Sequence, residues 1–500
     1  MHFPRSSGIL LHPTSLPGPY GSGDFGAAAY HFVDWLALSG QTLWQILPLG
    51  GLGPGNSPYM SSSAFAGNPL LIDLDEVAAR GWLLAGDLKP SEAFETHRVA
   101  YGEVTRFRME KLRMAANRFF AGPESYFEEY LAFCDAEKDW LDDYAFFMAL
   151  ADKFSWQCWY AWPEAIAKRH AAALDEMQKQ LLNEISFWKF CQWCFFRQWH
   201  RLKNYANLKG VRIIGDIPIF IACQSAEVWA NQRLFELGED LRPAVVAGVP
   251  PDYFSATGQR WGNPLYRWDE HEQDGYQWWI MRLRKKFELV DIVRIDHFRG
   301  FAGYWEIPAA EQTAINGHWM PGPGERLFNA IQNALGKMPI IAEDLGVITP
   351  DVNALLNQFE FPGMRVLQFA FGGNNVNPYL PHNLERNCVV YVGTHDNDTT
   401  VGWFESAPQH VREHVRKYLR TEGAEINWDL IHAASLSVAD QAIYAMQDVL
   451  GLGSEHRMNL PGKSEGYWEW RFSWDQVDSR YADRLREISI LHGRNAAVTG

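Results

Sequence analysis

The chain is poor in cysteine, carries no excess of positive charge and has no long apolar run. Six cysteines in 500 residues, at 134, 158, 191, 194, 223 and 388, are too sparse for a disulfide framework. Cys191 and Cys194 form a CxxC pair inside a helix-like apolar stretch, Ser186-Phe-Trp-Lys-Phe-Cys-Gln-Trp-Cys-Phe-Phe. No second pair completes a four-thiolate zinc site, so the two are read as core residues on one helix face. Lys plus Arg number 45 against 60 Asp plus Glu, a net charge of −15. That is the wrong sign for a protein that meets phosphate backbones, which excludes nucleic acid as a partner, disfavours polyanionic substrates and suits a neutral one. No segment reaches the ~18 apolar residues of a membrane helix. The N-terminus, Met-His-Phe-Pro-Arg-Ser-Ser-Gly, lacks the charged and apolar regions of a signal peptide. The expectation is a cytoplasmic protein with reduced thiols, not bound to a membrane.

Apolar and aromatic residues are plentiful. Hydrophobic residues make up 47% of the chain, with 22 Trp, 19 Tyr and 30 Phe, which supports a large core and excludes a disordered chain. Short runs rich in Ile, Leu and Val recur between helical patterns: Gly8–His12, Thr42–Pro48, Val211–Asp216, Asp291–Asp296, Pro339–Glu343, Met364–Phe369, Cys388–Gly393 and Ala445–Leu450. Runs of this kind suit parallel strands buried on both faces. Eight of them alternating with helices predict a (β/α)8 TIM barrel. The stretch between Pro48 and Val211 is far longer than one crossover helix needs. Met109, Leu112, Ala116 and Phe119 follow a helical spacing within it. The chain is therefore read as one catalytic barrel over 1–500 with large, mainly helical insertions around its C-terminal mouth. These are a helical subdomain over about 74–205 and a loop subdomain over about 224–285 that covers the cleft.

In such a barrel the chemistry sits at the C-terminal strand ends. Four of them carry carboxylates: Asp216, Asp296, Glu343 and Asp396. One acid at a strand end is explained by helix capping. Four converging on one mouth point to glycosyl transfer, whose positive oxocarbenium-like transition state needs carboxylates. Arg294 lies two residues before Asp296, on the same face of the strand, and its charge is expected to keep Asp296 ionised. Tyr59, and Trp261 in a Gly/Pro-rich loop, offer flat apolar platforms for sugar rings.

Several motifs together carry a family resemblance. They are Asn56-Ser-Pro-Tyr59 with Ser63-Ala-Phe-Ala-Gly-Asn-Pro69, Gly215-Asp-Ile-Pro-Ile-Phe220, Gly248-Val-Pro-Pro-Asp-Tyr-Phe-Ser255, Val293-Arg-Ile-Asp-His-Phe-Arg-Gly300, Ala342-Glu-Asp-Leu-Gly346, Gly393-Thr-His-Asp-Asn-Asp398 and Arg457-Met-Asn-Leu-Pro-Gly462. From about residue 8 to about 475 the chain resembles the amylomaltases, the 4-α-glucanotransferase (disproportionating enzyme) family related to the α-amylases. The resemblance implies Asp296 as nucleophile, Glu343 as general acid/base and Asp396 as the third carboxylate, which grips sugar hydroxyls. It implies Ser57, Tyr59, Asp216, Gln259, Trp261, Arg294, His395 and Asn459 as substrate-binding residues, and 248–262 as a lid. It implies no cofactor, no metal and no obligate protein partner. The motif Pro461-Gly-Lys-Ser-Glu-Gly-Tyr-Trp468 departs from the family pattern after Pro-Gly.

The implied reaction is a retaining double displacement on α-1,4-glucans and maltooligosaccharides, with the two carboxyl groups ~5–5.5 Å apart and Glu343 raised in pKa by burial and by Asp296. Three rivals have distinct signatures. A hydrolase of the same fold shares the carboxylates and differs in acceptor. A metal-dependent barrel enzyme would use His297, His395, Asp396 and Asp398, but neighbours on a strand face opposite ways, which separates Asp296 from His297. A non-catalytic glucan-binding protein needs no acid pair.

Overall fold

A computed structural model describes residues 3–122, 126–251, 255–463 and 465–495. Asp252, Tyr253 and Phe254 of the lid motif and Ser464 of the last motif lie outside the described residues. Twelve strands are present among the described residues: β1 Ser6–Leu10, β2 Leu43–Gln45, β3 Arg212–Pro218, β4 Val245–Val249, β5 Gln259–Pro264, β6 Ile292–Asp296, β7 Gly303–Pro308, β8 His318–Pro321, β9 Ile340–Ala342, β10 Gly363–Val366, β11 Cys388–Tyr391 and β12 Gln441–Ala445.

Eight of them form one sheet in the order β10-β11-β12-β1-β2-β3-β6-β9, and every neighbouring pair is parallel. The spatial order follows the chain. The two ends meet where the Ala342 N–H donates to the Pro362 carbonyl at 3.0 Å, beside the start of β10, so the sheet curls into a TIM barrel. Its strands are buried along nearly their whole length, as Val- and Ile-rich strands with helices outside and packed side chains inside must be. Close packing leaves no room for a side chain at Gly8 of β1, where a Cβ would stand 2.2 Å from the Leu43 carbonyl oxygen.

Seven of the eight expected strands fall on their runs. The eighth is displaced: the strand is Gln441–Ala445, and Met446–Leu450 is a short helix closed by Gly451 in the left-handed conformation, φ 66°. Periodicity cannot separate a buried strand from a buried helical turn in so short an apolar run, and the C-terminal glycine is the signal for the helix.

Between β2 and β3 the chain is mainly helical, with Tyr101–Ala121, Lys138–Lys153 and Leu182–Leu208 its longest helices. Cys191 and Cys194 are fully buried and unpaired in the last of these, as expected of core residues. The same helix braces the barrel. Trp199 Nε1 donates to the Leu289 carbonyl at 2.8 Å, and Gln192 clamps Gly67 through both amide atoms, at 2.8 and 2.9 Å. Glu227 takes the Ser63 hydroxyl at 2.6 Å and the Ala64 N–H at 2.9 Å. The loop that carries Tyr59 is thus tied down on its far side.

The remaining four strands form a separate antiparallel sheet, β5-β4-β7-β8, built from the segments after β3 and β6. Trp261, expected in a loop, lies on β5 of this sheet. No helix among the described residues is long and apolar enough to cross a membrane.

Candidate active site

The site is assembled at the C-terminal ends of β3, β6, β9 and β11. Arg294, near the end of β6, organises it. Its Nη1 donates to Asp216 Oδ2 at 2.5 Å, and its Nη2 forms an ion pair with Asp296 Oδ1 at 3.1 Å. The side chains divide by depth: Asp216 and Arg294 are 0% and 4% exposed, whereas Asp296 and Asp396 are 29% and 43% exposed. The first pair forms the floor and the second pair faces the cleft. Asp216, expected as a substrate contact, lies beneath the cleft, its Oδ2 taken by Arg294 and by the Tyr59 hydroxyl at 2.8 Å.

Tyr59 is delivered by a single turn, Pro58–Met60, whose start is capped by the Ser57 hydroxyl accepting the Tyr59 N–H at 3.3 Å. Its phenol has one proton, which goes to Asp216. His395 Nε2, 2.9 Å from the same oxygen, therefore donates and carries a hydrogen, while its buried Nδ1 meets no described partner, as suits the neutral ring. Burial pushes the His395 pKa down, in keeping with that form. The Tyr59 and His395 rings stack at 5.3 Å, and Trp468 packs against both.

Immediately after Asp296 the backbone turns through His297 in the left-handed conformation, φ 53°. A non-glycine residue there stores strain of order 1 kcal/mol or more. The turn aims the His297 N–H at Glu343 Oε2, 2.7 Å away, and the Leu345 N–H reaches Glu343 Oε1 at 2.7 Å. Both Glu343 oxygens are held by backbone.

Burial pushes the Glu343 pKa upward. Arg294 and the two amides oppose it, and Asp344 adds to it; the repulsion between Glu343 and Asp296 raises the pair as well. Burial likewise drives Asp296 well up, aided by the charges of Asp216, Glu343 and Asp396. Arg294 pulls it down without outweighing them, so the expectation that its charge keeps Asp296 ionised meets an opposing push from burial and the neighbouring acids.

Asp396 extends from the loop after β11. Its Oδ1 accepts from Asn459 Nδ2 at 2.6 Å, and its Oδ2 stands 3.5 Å from His395 Nε2. Trp261 meets the His297 ring edge-on at 4.8 Å and donates to Gln259 Oε1 at 3.1 Å. Tyr59, Asp216, Arg294, Asp296, Glu343, His395, Asp396 and Asn459 thus form one connected group. Trp261 joins it through His297, Gln259 only through Trp261, and Ser57 only through the Tyr59 turn.

Two contributors were not singled out from the sequence. Arg457 ties the Asp396 carbonyl at 3.0 Å to the Asn459 carbonyl at 2.8 Å, and Trp468 backs the Tyr59–His395 stack. Arg457 opens the motif that contains Asn459, which was its one available signal.

A family model described as glycoside hydrolase 77, 4-alpha-glucanotransferase, matches residues 11–477. The chain belongs to this 4-α-glucanotransferase family. The 4-alpha-glucanotransferase of Thermus thermophilus is 50% identical over 499 residues, covering 98% of this chain and 99% of the relative. The chloroplastic/amyloplastic 4-alpha-glucanotransferase of Solanum tuberosum is 47% identical, covering 98% and 86%. Among solved structures, amylomaltase from Streptococcus agalactiae in complex with acarbose superposes with a TM-score of 0.95 at 39% identity, covering 98% of this chain and all of that one. The activity of this family member is 4-α-glucanotransfer.

Proposed function

We propose that the chain moves α-1,4-glucan segments from a maltooligosaccharide or amylose donor to the 4-hydroxyl of an acceptor glucan or glucose, by a retaining double displacement. Asp296 attacks the anomeric carbon while Glu343 protonates the glycosidic oxygen. The leaving glucan departs, and Glu343 then takes the proton of the incoming 4-hydroxyl as the acceptor displaces Asp296. The observation that carries this reading is the unequal setting of the two acids. Asp296 is ion-paired with a cation and open to the cleft, whereas both oxygens of Glu343 are pinned by backbone amides; burial raises both acids. Asp396, steered by Asn459 and His395, binds sugar hydroxyls and favours a distorted ring. Trp261 and Tyr59 supply ring platforms, and Ser57, Gln259, His395 and Asn459 polar contacts. Arg294 and Asp216 act from below.

The segments 74–205 and 224–285 wall the cleft on this reading, and the lid 248–262 limits water at the intermediate, favouring a sugar acceptor. The protein works on cytoplasmic glucans, in starch or glycogen metabolism. Maltotriose decides the matter. Release of glucose with a ladder of longer chains is expected, and Asp296→Asn and Glu343→Gln each abolish it. Maltose and glucose without longer chains would replace transfer by hydrolysis.

A further inference from the structure

Between β3 and the helices packed on it lies a cavity that shares a wall with the active site. Tyr59 and Asp216 line it from the site, Arg282, Lys285 and Lys286 from the helix Gln277–Leu289, and Trp140 from the helix Lys138–Lys153. The space open to the centres of water molecules is about 50 Å³. At ~10–15 Å³ per water this holds roughly three to five waters, and it is too small for a sugar ring.

Two charged groups reach this cavity with bonding capacity left over. Asp216 uses Oδ2 for Arg294 and Tyr59, while its buried Oδ1 bonds no described protein group. Lys286 makes no hydrogen bond or ion pair with the described residues. Its neighbours are committed: Lys285 to Glu137 at 2.9 Å and Glu288 at 3.1 Å, Arg282 to the carbonyls of Pro218 and Ile219 at 2.6 and 3.0 Å. Lys286 reaches the back of the site because residue 215 is glycine. A Cβ there would stand 2.6 Å from Val290 Cγ1 and 3.2 Å from Lys286 Cε. An unpaired ammonium and an unpaired carboxylate oxygen, both on the wall of one otherwise largely apolar cavity with room for a few waters, call for bridging water.

We propose that Lys286 is a positioning residue for glucan transfer, its ammonium joined through water in this cavity to Asp216 Oδ1 and supplying the second positive charge beneath the carboxylates. The groups that bear on this position are Asp216 on β3, Tyr59 on its turn, His12 after β1, and Arg282 and Lys285 on its own helix, with Arg294 and Asp296 on β6 and His395 after β11 reached through Asp216 and Tyr59. Glu343 and Asp396 complete the cluster. Among the described residues Arg294 is the cation paired with these carboxylates and Arg457 reaches only the backbone of Asp396, so Lys286 would be the second cation on the floor. Burial brings Lys286 down to about 8, which leaves it mostly charged at neutral pH.

The inference rests on the roles given above to Asp296 and Glu343. The test is the pH profile of glucose release from maltotriose for the wild type, Lys286→Met, Lys286→Gln and Lys286→Arg. Removing the cation raises the carboxyls, so both limbs move to higher pH by about one unit in the Met and Gln variants, the order of one unit charge lost beside a partly buried cluster. Lys286→Arg keeps the wild-type profile. Met and Gln profiles that superimpose on the wild type, or an Arg profile displaced as far as theirs, overturn the proposal. A crystal structure of the wild type with ordered solvent gives a check that needs no variant. Water bonded to both Lys286 Nζ and Asp216 Oδ1 supports the link, and an anhydrous cavity refutes it. Full activity in Asp296→Asn or Glu343→Gln would overturn the underlying roles. An unmoved Lys286→Met profile beside inactive Asp296→Asn and Glu343→Gln would overturn only the role of Lys286.

Discussion

Replacing Arg294 with methionine should destabilise the protein in a pH-dependent way. The guanidinium is 4% exposed and holds Asp216 at 2.5 Å and Asp296 at 3.1 Å. Methionine keeps the apolar stem and the neighbour Met364, whose sulfur Arg294 Nε meets at 3.3 Å. It leaves two carboxylates without their cation. Breaking a buried pair from one side costs about 3–5 kcal/mol, because the remaining charge stays desolvated. Unfolding entropy near 2.1 cal/mol/K per residue gives roughly 1 kcal/mol per kelvin for a chain of this size, so the thermal midpoint falls by about 3–5 °C. Adding Asp216→Asn removes one of the stranded charges and should return about half of that loss, a non-additivity that a double-mutant cycle reads directly. In Arg294→Met the folded-state carboxyl pKa rises further above the unfolded value. The folded state then binds the extra proton, and the penalty is present at neutral pH and relieved as pH falls. Differential scanning fluorimetry of the four proteins at two pH values measures this. A deficit equal at both pH values, or a strictly additive double mutant, would refute the charge argument and leave only lost packing.

Asp448 is buried beside Thr400, and burial raises its carboxyl to about 7. Its folded value lies above the unfolded one, so stability falls as pH rises through this range, and Asp448→Asn should raise the thermal midpoint by roughly 2 °C at pH above 7 and not at acid pH. Gly8→Ala would place a Cβ 2.2 Å from the Leu43 carbonyl oxygen. Backbone cannot yield there, and loss of soluble folded protein, read by size-exclusion chromatography and circular dichroism, is expected. The alkaline limb of kcat for maltotriose should lie at higher pH than that of kcat/KM, because substrate expels water from around Glu343 and raises its carboxyl further. Coincident limbs would contradict this.

The barrel was legible because parallel strands buried on both faces leave continuous Ile- and Val-rich runs, and these runs end in the acids that matter. Where a run bordered a helical turn, at Ala445–Leu450, the same apolar signal served two structures, and the strand was placed too late. The floor of the site was less legible. Asp216 and Asp296 look alike in sequence, each an acid near the end of an apolar run. Only packing shows that Asp216 is spent on Arg294 and Tyr59 while Asp296 opens to the cleft. Trp261 read as a loop residue because Gly and Pro surround it, yet β5 pairs with β4 across a register shift that tolerates them. Arg457 and Lys286 gave little sign of themselves, since their roles depend on partners far away in the chain.

The setting of Glu343 brings opposed requirements together. An acid that must give a proton to a glycosidic oxygen needs a raised pKa, yet both of its oxygens accept backbone N–H groups at 2.7 Å, bonds that favour the carboxylate. The amides serve the second half of the reaction, in which the same group must be a carboxylate able to take the acceptor's proton. Burial serves the first half. One of the two amides belongs to His297, the residue directly after the attacking Asp296, and it points at Glu343 because His297 occupies a strained left-handed turn. The strain therefore couples the two carboxyls through one peptide, and small movements of the strand end that carries Asp296 are felt by the hydrogen bond that tunes Glu343. A more flexible residue at 297 would relax the turn and loosen that coupling, which is a physical reason for a histidine packed against Trp261 to hold a conformation that glycine would adopt without strain.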